Sequence, residues 1–210
     1  MSVAGFDIGS QTSTVAVARK RGIDVLLNKE SNRETPSLAS FGAKQRLLGT
    51  DAAGALTVNP KNTVFQLKRL IGKQWDDPAL QADIARFPFK VVTAEDGGVA
   101  VEVQYLGETA TFNPVQLVAM VLVDEREIAQ AEGAPVTDCV ITVPVYFTEV
   151  RIKHRLLLLA RTPRPRVYLL PAPGGACVLR RLDAGSWHVS AGRHGLCVLP
   201  LAHAALLFHS

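Results

Sequence analysis

Eighteen of the nineteen acidic residues in this 210-residue chain lie before Arg151, and that break in composition confines any single fold to the part before it. Residues 1–150 hold 14 Lys+Arg against 18 Asp+Glu, a net charge of −4. Residues 151–210 hold 9 Lys+Arg against the lone Asp183, a net charge of +8, together with all five histidines and five of the twelve prolines. The overall charge of +4 describes neither part. The division predicts an α/β domain over residues 1–149 and an unrelated, disordered Arg/Pro/His-rich tail over 150–210.

Several function classes are disfavoured at this level. No run of eighteen uncharged apolar residues occurs, and the opening Met1-Ser2-Val3-Ala4-Gly5 has no basic patch followed by an apolar stretch, so neither a membrane span nor a signal peptide is expected. Cys139, Cys177 and Cys197 are odd in number and widely spaced, which suits a reducing compartment better than a disulfide framework. The basic tail lacks aromatic interleaving and a basic helix, so nucleic acid is not the expected partner, and Cys177, His188, His194 and Cys197 match no common zinc spacing.

The N-terminal part has readable periodicity. Residues 3–8 form a short apolar strand, Gly9-Ser10-Gln11-Thr12-Ser13 a small polar turn, and Val15-Ala16-Val17-Ala18 a returning strand, with a third strand after Arg21-Gly22. This antiparallel meander argues against a βαβ dinucleotide fold. Val64, Leu67, Leu70 and Ile71 recur at helical spacing after Asn59-Pro60, predicting a helix of about three turns closed by Gly72. A hairpin is expected within residues 91–112, turning at Gly107. Asn113 as N-cap and Pro114 at the first helical position predict a helix to Ala131, with Leu117, Val121, Asp124 and Ile128 along one face and Gly133 and Pro135 as stops. Residues 138–143 read as a buried strand ended by Pro144. After Val150 no period survives, and no regular element is assigned.

The Asp7-Ile8-Gly9-Ser10-Gln11-Thr12 turn combines a carboxylate, a glycine that admits close backbone approach, and consecutive small residues with N–H groups. That combination suits a phosphate and its metal, although a plain hydrogen-bonded hairpin turn reads the same way. Taken with Asn32-Arg33-Glu34-Thr35-Pro36-Ser37, the run Asn59-Pro60-Lys61-Asn62-Thr63-Val64-Phe65-Gln66-Leu67-Lys68-Arg69-Leu70-Ile71-Gly72, and Thr142-Val143-Pro144-Val145-Tyr146-Phe147, the turn makes residues 1–149 resemble the seventy-kilodalton heat-shock protein superfamily. Gly9-Ser10-Gln11 and Ala18-Arg19-Lys20-Arg21-Gly22-Ile23 look like its larger, 110-kilodalton branch, whose members act as nucleotide exchange factors and holdases.

The resemblance implies the first lobe of an actin-like, ribonuclease-H-like ATPase domain that binds ATP or ADP with Mg2+. By the same analogy, Asp7 holds a water of the magnesium shell, Gly9, Ser10, Gln11 and Thr12 face the β- and γ-phosphates, and Lys68 faces the γ-phosphate. Pro144 matches a proline that the family uses as a conformational switch, and it serves equally as a strand terminator. Implied partners are ATP, smaller heat-shock chaperones and unfolded clients, in the cytoplasm and also the nucleus.

The resemblance stops at Val150-Arg151-Ile152-Lys153-His154, and no second glycine-rich phosphate loop of the form Asp-x-Gly-Gly-Gly-Thr follows. The abrupt change in residue usage is what another reading frame or a retained intron produces. Without a second lobe the expected ATP affinity is millimolar or nil, and solubility is expected to be poor. Two readings stand: an ATP-binding chaperone-family protein that is truncated, and a non-enzymatic interaction module that does not bind nucleotide. An actin-like or sugar-kinase-like ATPase shares the turn but not the runs at 59–72 and 142–147.

Overall fold

The computed structural model describes residues 3–19, 22–133 and 138–143, together with the strand segments 166–171, 177–182, 186–191 and 196–199. Pro144 and Pro135 lie outside the described residues, as does the Leu156 to Leu159 run.

Strands β1 (Val3–Ile8) and β2 (Thr12–Arg19) form the expected hairpin, and β3 (Gly22–Val25) extends it antiparallel from β2. Alternation sets the faces: Ala4, Phe6 and Ile8 on β1 are buried opposite Val17, Val15 and Ser13 on β2. The short β4 (Thr35–Pro36) pairs with the start of β2, Thr35 opposite Ser13 and Pro36 opposite Thr12. A second small sheet follows, in which β5 (Ala39–Phe41) lies between β6 (Arg46–Leu48) and β7 (Thr63–Val64). Two short helices, α1 (Gly49–Ala53) and α2 (Ala55–Val58), and a 3-10 turn at Pro60–Asn62 connect them.

The three-turn helix expected over 59–72 is instead broken into short pieces. Asn59 donates to the Phe41 carbonyl (3.0 Å) and accepts from Asn62 (2.9 Å), while Asn62 in turn accepts from the Gln104 backbone (2.8 Å). Thr63 and Val64 then pair with β5, and Gln66 takes a left-handed conformation (φ 54°) that breaks any helix through it. Only the single turn α3 (Leu67–Leu70) remains, closed by Gly72 at φ 63°. The apolar spacing that suggests a helix serves a strand for Val64 and one helical turn for Leu67 and Leu70.

After α4 (Pro78–Ile84) comes the meander β8 (Lys90–Thr93), β9 (Val99–Tyr105) and β10 (Glu108–Phe112). Its β9–β10 turn places both Leu106 (φ 55°) and Gly107 (φ 85°) in the left-handed region, as a two-residue hairpin of this twist requires. Phe41 stacks on Phe112 with centroids 4.7 Å apart and meets Tyr105 edge-on at 5.5 Å, joining the meander to the β5 sheet.

Helix α5 (Pro114–Ala131) has the expected ends: Asn113 accepts from the Val115 N–H, and Gln116 reaches back to the Asn113 N–H, completing a capping box. Its buried face holds Leu117, Val118, Val121, Leu122, Ile128 and Ala129 against the first sheet. Asp124, read from the sequence on that face, is only half-buried, and Glu125 takes the place at full burial. The spacing 117, 121, 125, 128 follows one helical stripe, so the acid at 125 points inward. Strand β11 (Asp138–Val143) then returns parallel to β1, with Cys139 and Ile141 buried in the same layer.

The structure departs from the reading of an elementless tail. Strand β12 (Arg166–Pro171) pairs parallel with β11, giving the sheet order β12-β11-β1-β2-β3, and β13 (Cys177–Leu182), β14 (Ser186–Ala191) and β15 (Leu196–Leu199) form a separate antiparallel meander. Val167-Tyr168-Leu169-Leu170 is an apolar run, a local strand signal that the Arg/Pro flanks obscure.

Two outcomes follow from this packing. Leu117 is fully buried, and Leu117→Ala is expected to cost about 2 to 5 kcal/mol of unfolding free energy in urea titration. Burial pushes the Glu125 carboxyl up to about 7, against the opposing effect of its bond from Ser13. The folded chain then holds a proton that the unfolded chain releases above its ordinary 4.5, so this stabilisation is complete below that value and is lost as pH rises through about 7. It amounts to roughly 3 kcal/mol. Glu125→Gln is expected to flatten that pH slope of the urea midpoint; an unchanged slope assigns it to other groups.

Candidate functional site

The Asp7–Thr12 turn closes the β1–β2 hairpin at one end of the sheet's central strands, with Asp7, Ser10, Gln11 and Thr12 all exposed. Gly9 donates its N–H to the Thr12 carbonyl at 2.8 Å, and a Cβ added at Gly9 would stand 2.1 Å from that same oxygen. Only glycine fits there, because the atom in the way is backbone and cannot swing aside. Among the described residues, no acceptor stands opposite the N–H groups of Ser10 and Gln11. Those two donors, the hydroxyls of Ser10 and Thr12 and the Gln11 amide therefore share one exposed turn.

Asp7 is held from a strand remote in sequence, since its carboxylate accepts a hydrogen bond from the Thr142 hydroxyl on β11. The parallel register that sets Phe6 beside Ile141 brings the carboxylate to this hydroxyl. The turn is braced on its other side by the 35–37 segment: Ser37 donates to the Gln11 carbonyl at 2.8 Å, and β4 pairs with Thr12 and Ser13. The Asn32-to-Ser37 run thus supports the turn directly. Asn28 holds that run in turn, accepting from the backbone N–H groups of Glu30 and Asn32 and donating to the Glu34 carbonyl at 3.1 Å.

Lys68 is half-buried on α3 between the buried Leu67 and Leu70, and α3 reaches the sheet through α5. Arg69 beside it is committed to Asp83 at 2.6 Å. Asp7 and Gly9 through Thr12 are thus contiguous, whereas Lys68 arrives on a separate element.

Three contributors escape a reading of the sequence. Asn28, Ser13 and Glu125 are polar and buried, and together they fix the 28–37 segment and the root of β2 under the turn. Only Glu125 leaves a trace, in its place on the i, i+4 stripe of α5. Asp124 beside it is likewise pushed upward by burial, with Lys29 acting to lower it.

The donor set fits a phosphate with its magnesium: an exposed carboxylate, two open backbone N–H groups and small side chains around a backbone that a glycine lets fold close. No group of three or more His, Cys, Asp or Glu side chains among the described residues is arranged to hold a metal directly. No helix among the described residues is long and apolar enough to cross a membrane.

The family model for Hsp70 protein matches residues 3–154. The chain is 50% identical over 149 residues to Heat shock 70 kDa protein 16 of Arabidopsis thaliana, covering 70% of this chain and 20% of that protein. It is 46% identical over 151 residues to the 97 kDa heat shock protein of Mesocentrotus franciscanus, covering 71% and 17% respectively. Against a ribosome-associated molecular chaperone of Saccharomyces cerevisiae it is 44% identical over 148 residues, or 70% and 24%. The chain therefore spans about a fifth of the length of these curated relatives. The sheet of β1, β2, β3 and β11 under α5 is the first lobe of the actin-like ATPase fold, and this chain belongs to the Hsp70 protein family.

Proposed function

We propose that this chain is the phosphate-binding lobe of a chaperone or co-chaperone of the nucleotide-exchange type, acting in protein folding alongside smaller heat-shock chaperones and unfolded clients in the cytoplasm and nucleus. The observation that carries the reading is the Gly9–Thr12 turn with its two open N–H donors beside the anchored Asp7. Ser10, Gln11 and Thr12 take the β- and γ-phosphate oxygens of ATP or ADP, and Gly9 lets the backbone approach them. Asp7, oriented by Thr142, accepts from a water of the magnesium shell. Bound Mg2+ supplies charge neutralisation at the phosphates. Lys68 adds a compact cation toward the γ-phosphate, which is positioning and electrostatics rather than covalent chemistry. Pro144 follows the strand that carries Thr142, a place in the chain from which a switch would move Asp7. The similarity to the 97 kDa heat shock protein supports assignment to the larger branch.

A second reading is favoured by the short coverage of the relatives: a non-enzymatic fragment that engages the family's partners and binds no nucleotide. Amide chemical shifts of the labelled full chain, titrated with Mg-ATP, separate the two. The first reading expects shifts at Ser10, Gln11 and Thr12 that saturate with a Kd on the order of 1 mM, about −4 kcal/mol. Gly9→Ala, which cannot keep the turn's closure, is expected to weaken that binding at least about tenfold, or about 1.4 kcal/mol. Shifts that spare the turn altogether establish the non-binding reading.

A further inference from the structure

Beneath the turn lies a buried hydroxyl with two acceptors and one proton. Ser13 Oγ stands 3.1 Å from the Thr35 carbonyl and also in hydrogen-bond contact with Glu125 Oε1. Ser13 is 1% exposed and Glu125 0%. A serine hydroxyl donates one hydrogen bond, so it cannot serve both oxygens as donor. The second Glu125 oxygen, Oε2, has no partner among the described residues. An ionised carboxylate with one bare oxygen in an apolar layer is costly, whereas a neutral acid leaves only an orphan carbonyl. The two charge states therefore imply different hydrogen bonds.

We propose that Glu125 is a positioning residue for the phosphate turn: as the neutral acid it donates to Ser13 Oγ and leaves the Ser13 proton to the Thr35 carbonyl, and as the carboxylate it takes that proton's bond and releases Thr35. The consequence reaches the turn because Thr35 and Pro36 pair with Ser13 and Thr12, and Ser37 holds the Gln11 carbonyl. Loss of the Thr35 bond loosens the brace that fixes the turn's backbone. The inference rests on the phosphate reading only for its effect on nucleotide.

The group sits where such a change occurs near neutrality, since burial pushes its carboxyl up to about 7. Charged neighbours among the described residues are few. Asp124 on the same helix opposes ionisation of Glu125. β1 turns the apolar Ala4, Phe6 and Ile8 to this layer, β2 the Ser13 hydroxyl, β4 Thr35, and β11 the Cys139 thiol. Lys29 and Asp51 act on Asp124, while α3, β6 and β9, which also pack on α5, carry Lys68 and Arg69, Arg46 and Glu102. Of all these, Asp124 is the one whose charge bears on Glu125.

The test is a pH titration of the labelled full chain by NMR, from about pH 5.5 to about 8.5, across the titration range of the group. The Glu125 side-chain carboxyl resonance is expected to titrate with a midpoint of about 7, and the amides of Gln11, Ser13 and Ser37 to move with the same midpoint. Glu125→Gln, which keeps a donor toward Ser13, is expected to hold those amides at their low-pH positions throughout. Ser13→Ala is expected to leave Glu125 titrating while the turn amides stand still. Mg-ATP added at both ends of the range is expected to bind several-fold more weakly at high pH in the native chain, and equally at both in Glu125→Gln. Turn amides that ignore the Glu125 titration, or that still titrate in Glu125→Gln, overturn the proposal. If the amides follow Glu125 but no pH permits an ATP shift, the proton link stands and the phosphate reading falls.

Discussion

The parallel pairing of β1 with β11 is the contact on which the site depends. It joins residues 135 positions apart, and such a long-range pairing repays its loop-closure cost only if both strands are buried and covered. Helix α5 supplies the cover. Pinned at its start by the Asn113 capping box, it adds Leu117, Val121 and Ile128 to the layer that holds Phe6, Val15 and Ile141. With that layer closed, Thr142 comes to Asp7 and the hairpin turn is held at the end of the central strands, although neither residue is near the other in sequence. The turn's geometry is thus a product of the lobe's core.

The layer under α5 has a polar interruption at Ser13 and Glu125. A face made otherwise of Ala, Val, Leu, Ile, Phe and Cys139 includes Ser13 and Glu125, and a methionine or leucine at 125 would avoid desolvating a carboxyl. The carboxyl is tolerated because burial keeps it neutral below about pH 7 and because Ser13 has Thr35 as a second partner. Asn28, on the segment leading into β4, shows the contrasting case: both ends of its amide are used, and it fixes the chain direction into β4 without any charge. Two buried polar devices therefore support the same segment, one of them independent of pH.

What the sequence reveals follows the range of the forces involved. The β1–β2 hairpin, the capped helix from Pro114 and the β9–β10 turn are set by local alternation, capping and turn chemistry, and their residues declare them. The stretch from 59 to 72 does not, because its Asn side chains bond to Phe41 and Gln104 and the Gln66 backbone departs from the helical region. Tertiary contacts outweigh apolar spacing there. The turn motif itself is legible, as is its dependence on glycine, while the brace from 28–37 and the inward acid at 125 are not, since each is defined by its partner in space. Strands β12 to β15 hide behind prolines and arginines for the same reason, as pairing decides them more than composition does.

The one-sidedness of the turn limits what it does by itself. Two backbone donors to charged oxygens contribute about 1.5 to 3 kcal/mol each, and association costs at least about 4 kcal/mol in lost freedom. The balance is near zero to slightly favourable before side chains add to it. Tight nucleotide binding on this fold therefore requires donors from the opposite direction and a surface for the base and sugar. The N–H groups of Ser10 and Gln11 find no acceptor among the described residues and their side chains stand exposed, so on the proposed reading the turn supplies one side of a phosphate site. Family membership rests on residues 3–154.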